Sequence, residues 1–73
     1  MANEQKTYNL KTPRQFVEDF PAFSMGSIRN LIFFEDMNGL KAAGAIKRIG
    51  KKILIDIDAF FRWVDAQNNG RVL

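Results

Sequence analysis

At 73 residues the chain has room for one domain and no second, and its net charge is a modest +3. Without cysteine or histidine it offers no disulfide framework and no thiolate metal site, and it lacks both the commonest general base and the commonest metal ligand. No apolar run approaches ~18 residues and Met1–Thr7 is polar, so neither a transmembrane span nor a secretory signal is expected; a reduced, soluble, intracellular domain is. Seven Phe, one Trp and one Tyr can fill a small core. They leave little for a deep ligand cavity, which typically needs roughly 300 Å³ or more. Neither an enzyme nor a cofactor is expected.

Residues 1–9 read as a flexible polar tail. Thr12-Pro13-Arg14-Gln15 then supplies a helix start, with Thr12 as N-cap, Pro13 at the first helical position and Gln15 three residues after the cap. Phe16, Val17 and Phe20 make its apolar stripe, and Pro21 ends it, which predicts a first helix over residues 13–20. Ser24 caps the second helix, Ile28, Leu31 and Ile32 form its inward face, and Asn38-Gly39 stops it. Only Pro21, Ala22 and Phe23 separate the two, so they must turn sharply, the outline of a helix-turn-helix unit.

Residues 45–55 change character: β-branched residues flank Gly50-Lys51, and a glycine in that first position suits a two-residue type II′ hairpin turn. The turn sets Ile49 opposite Lys52, Arg48 opposite Ile53 and Ile46 opposite Ile55. Because Ile53-Leu54-Ile55 does not alternate, the pattern leaves open which of Lys47 and Arg48 points outward. Asp56 caps a third helix with Asp58 in its first turn; Ile57, Phe60, Phe61 and Val64 form its inner stripe, with Trp63 on a flank, and Asn68-Asn69-Gly70 closes it. The expected fold is α+β in the order helix, helix, hairpin, helix over residues 10–68, with 69–73 a C-terminal tail.

Charge is unevenly spread along these elements. Residues 41–55 hold Lys41, Lys47, Arg48, Lys51 and Lys52 and no acid, whereas the segments on either side each carry −1. A focused +5 attracts a polyanion, and two lysines beside a hairpin glycine form a tip that reaches out from a fold. The adjacent acids Glu18/Asp19 and Glu35/Asp36 point about 100° apart on a helix, so they make no convergent catalytic pair and read as solubilising surface groups.

Ser24-Met25-Gly26-Ser27-Ile28-Arg29, Gly39-Leu40, the run Ile46 to Asp56 and Phe60-Phe61-Arg62-Trp63-Val64 together resemble the small excisionase-like proteins with a MerR-type winged helix, over about residues 10–67. The resemblance implies a winged helix-turn-helix that binds double-stranded DNA without metal or membrane. Its second helix, presenting Ser24, Met25, Ser27, Arg29 and Asn30, would enter the major groove. Its wing, with Lys47, Arg48, Lys51 and Lys52, would hold phosphates or enter the minor groove, and Arg14 and Lys41 would add backbone contacts. Here the turn reads Phe20-Pro21-Ala22-Phe23, one residue longer than the family's, and Arg29 is the second helix's only cation. The role implied is an excisionase-type architectural factor of a mobile element. Such a factor would be cytoplasmic, encoded by a bacterium or phage, associated with DNA and partnered there by further copies and an integrase. The alternatives are a small transcription regulator of prophage or plasmid genes, and a protein-interaction module that docks an integrase-like partner.

Overall fold

Thr12 opens the first helix as its neighbours dictate. Its hydroxyl accepts from the Gln15 N–H at 3.2 Å, and the Gln15 side chain accepts from the Thr12 N–H at 3.0 Å, a complete capping box. The structure, a computed structural model, describes residues 9–69. In chain order these form β1 (Leu10–Lys11), α1 (Pro13–Asp19), α2 (Met25–Phe33), α3 (Glu35–Asn38), β2 (Ile46–Ile49), β3 (Lys52–Asp56) and α4 (Ile57–Asn69). The tails expected over 1–9 and 69–73 lie outside the described residues, apart from Asn9 and the helical backbone of Asn69.

The order helix, helix, hairpin, helix is present, with two departures. The second helix does not run unbroken to Asn38: Phe34, at φ −100° and ψ 24°, divides it into α2 and the four-residue α3. The segment before the first helix contributes a strand, β1, which pairs antiparallel with β3 and gives a three-stranded sheet of order β1-β3-β2. Asn9 anchors it further, since its carbonyl accepts from the Ile57 N–H at 2.9 Å.

The hairpin has the expected register, Ile49 opposite Lys52, Arg48 opposite Ile53 and Ile46 opposite Ile55. Gly50 takes φ +58° while no described non-glycine residue has positive φ, the signs a type II′ turn requires. Ile55 is fully buried and Ile46 and Ile53 pack against the core, so this face of the sheet is the helix side. Alternation therefore puts Arg48 on the helix side as well, and Lys47, Ile49 and Lys52 on the other.

Aromatic packing joins the two ends of the chain. The ring of Phe16 in α1 lies 4.8 Å from Phe60 and 6.0 Å from Phe61 in α4, and 4.9 and 5.5 Å from Phe20 and Phe23 in the α1–α2 connection. Leu40 and Ile28 complete the buried centre. On its far side Trp63 packs beside Phe60 and donates its indole N–H to the Asn38 carbonyl at 2.8 Å, which ties α4 to the end of α3.

Candidate nucleic-acid interface

Of the second-helix residues predicted to face a ligand, Ser24, Ser27, Arg29 and Asn30 are exposed and Met25 is half-buried. Ser24 is occupied as a cap: its hydroxyl accepts from the Ser27 N–H at 3.1 Å. Arg29 projects from the exposed face of α2 and makes no ion pair among the described residues.

A groove of about 450 Å³ runs between the helices and the hairpin. Met25, Arg29, Ile32 and Phe33 of α2 form one wall, Arg48 and Ile53 of the hairpin the other, and Pro13 and Glu35 the ends. The composition predicted little room for a deep cavity, and this volume lies between elements at the surface, outside the core. Two guanidinium groups, 19 positions apart in sequence, thus meet in one concave surface.

Arg48 does not stand free there. Its Nη1 donates to Glu35 Oε1 at 3.2 Å and its Nη2 donates to Glu35 Oε2, a two-pronged ion pair between hairpin and α3. Glu35 is only 8% exposed, which corrects its reading as a solubilising surface group. Burying a carboxylate is tolerable only with a partner that satisfies both oxygens, and a guanidinium does so with planar, parallel donors. The hydrogen bond to Glu35 raises the Arg48 pKa; burial pulls the other way, and the charges of Glu35 and Asp36 add to the rise. Arginine has five N–H donors, so three remain for a ligand in the groove.

The rest of the focused charge divides. Lys41 is paired with Asp36 at 3.3 Å, both well exposed, so Asp36 and Glu35 together answer two of the five bases in residues 41–55. Lys47 is half-buried, its ammonium close to Gly44. Lys51 and Lys52 stand exposed at the hairpin turn and make no ion pair among the described residues. Arg14 is exposed beside Pro13 at the start of α1.

The groove therefore brings together Met25, Arg29 and Arg48 and leaves Asn30, Lys41, Lys47, Lys51 and Lys52 outside its lining. Two of its residues, Glu35 and Phe33, are not expected in the site from the sequence, where Glu35 reads as a surface group. For Phe33 a signal exists: it follows Arg29 by four positions, which places both on one face of a helix. For Glu35 there is none, because its partner lies 13 residues away on another element.

Among the described residues no group of acidic side chains could hold a metal ion, and no helix is long and apolar enough to cross a membrane. Comparison with protein-family models, with curated proteins and with solved structures gives no match.

Proposed function

We propose that this protein binds double-stranded DNA by sequence and performs no catalysis, α2 entering the major groove while the β2–β3 hairpin acts as a wing on the backbone. The observation that carries this reading is the meeting of Arg29 and Arg48 in one groove, with the exposed Lys51 and Lys52 at the adjoining turn. Arg29 offers a guanine its two parallel donors, a contact typically worth about 1–3 kcal/mol of discrimination. Arg48, held by Glu35, and the turn lysines supply charge to the flanking phosphates.

Within DNA binding, the resemblance of the Ser24–Arg29 and Ile46–Asp56 segments to excisionase-like proteins favours an architectural factor for site-specific recombination of a mobile element. A transcription regulator would use the same interface, and a neighbouring integrase gene separates the two. A module docking its partner through Trp63 is less well supported, since that side chain is half-buried and its N–H is bonded inward.

The test is the salt dependence of binding to duplex DNA. Each phosphate contact contributes a slope of about −0.9 in log K against log salt. Replacing Lys51 and Lys52 together by Ala is expected to flatten the slope by about two units. A slope that does not move would reduce the turn lysines to solvated surface groups and remove the wing from the reading.

A further inference from the structure

The groove holds one large side chain that the proposed function leaves unused. Phe33 is 79% exposed, at the end of α2, where a ring of this size has most of its apolar surface in water. The ring of Phe34 stands edge-on to it, 4.9 Å between centroids at 90°, and limits the directions it can take. Phe33 lines the same groove as Arg29 and Arg48, and the four-residue step from Arg29 puts both on one face of the helix.

An apolar ring and a guanidinium side by side match one feature of the major groove. Guanine presents two acceptors there, and thymine presents its C5-methyl group, which apolar side chains including Phe contact directly. We infer that Phe33 reads a thymine methyl, as the second base-specifying residue of α2 beside Arg29; the inference rests on the DNA-binding function proposed above. Charge complementarity selects the occupant. The groove that holds the ring carries Arg29 and Arg48 against the single acid Glu35, a net positive lining that favours a polyanion carrying apolar groups over an uncharged protein surface. The spacing is also defined. Four residues advance about 6 Å along a helix, so the thymine lies within about two pairs of the guanine read by Arg29.

The experiment uses the whole chain. Target sites are enriched from random duplexes, and each thymine of the enriched site is then replaced by deoxyuridine, which removes one methyl group and nothing else. Losing one buried methyl is expected to weaken binding about threefold to fivefold at a single position. In Phe33→Ala that replacement should have no effect, while deoxyuridine elsewhere behaves as in the parent. Phe33 is exposed, so the variant keeps the parent's far-ultraviolet dichroism. An enriched site with no uridine-sensitive position overturns the inference and leaves DNA binding standing. So does a Phe33→Ala chain as uridine-sensitive as the parent, which would release the ring for a protein partner. A chain that enriches no sequence overturns both readings together.

Discussion

Glu35 has most of its water stripped away, and both of its carboxylate oxygens accept instead from Arg48. Removing only the arginine would leave a carboxylate facing the groove wall without its donors. Arg48→Ala is therefore expected to lower Tm clearly, while Arg29→Ala, which breaks no ion pair among the described residues, should leave it nearly unchanged. The double replacement Glu35→Leu with Arg48→Met should recover most of that loss, because an apolar pair of similar size carries no desolvation cost. Thermal unfolding of the three variants decides this; a double variant no better than Arg48→Ala would mean the site cannot accommodate an apolar pair. Since the pKa of Arg48 is raised by folding, its stabilising effect is complete through neutral pH and is lost only on strongly alkaline titration. Arg29→Ala has its consequence elsewhere, weakening specific binding by about 1–3 kcal/mol at one base position with a smaller effect on nonspecific DNA.

The end of α3 is where neighbouring elements are fastened together. Asn38 donates from its amide to the Leu31 carbonyl at 2.9 Å, accepts from the Leu40 N–H at 2.9 Å, and offers its own carbonyl to Trp63. Gly39 follows at φ +92°, and a Cβ there would sit 3.2 Å from the Trp63 indole nitrogen. Gly39→Ala combines left-handed backbone strain with that contact and should cost about 1–3 kcal/mol in urea unfolding. In a Trp63→Phe background the same change should cost less, because part of the penalty is the indole itself. Equal costs in both backgrounds would assign the whole effect to the backbone. Asn38-Gly39 was legible as a stop because it is local chemistry, as were the Thr12–Gln15 box and the Gly50 turn with its register. The break at Phe34 was not, since Leu31, Ile32 and the residues after them continue a helical pattern. Strand β1 was not either: two residues carry no periodicity, and their partners Asp56 and Ile55 lie more than 40 positions on. The groove was half legible. Arg29 and Arg48 were each singled out, but the pairing that spends part of Arg48's charge depends on Glu35 turning inward while Asp36 turns out.

Taken whole, the described residues share one core, and Phe16 and Phe60 sit at its junction. Ile55 of the hairpin is part of the same cluster, with Ile46 and Ile53 packed against it, so helices and hairpin cannot part without opening the core. The described region should therefore unfold in one step, with helical dichroism and Trp63 fluorescence giving coincident urea curves. Separate transitions would mean that the packing around Trp63 comes apart independently of the other helices. Phe60→Ala should cost about 3–5 kcal/mol, most of what so short a chain commands, and leave it unfolded or nearly so at 37 °C. Strand β1 is only two residues long, yet it bears on whether the protein stays dispersed. It occupies the outer edge of β3 at Ile55 and Asp56, beside the apolar run Ile53-Leu54-Ile55, while Lys11 is held to Asp19 at 2.7 Å. An edge of that composition, once bare, is a template on which the same segment of another chain can pair and stack. A chain beginning at Thr12 should therefore scatter light and bind amyloid dyes over hours at concentrations where the full chain remains clear, which makes Leu10 and Lys11 guards against fibre growth.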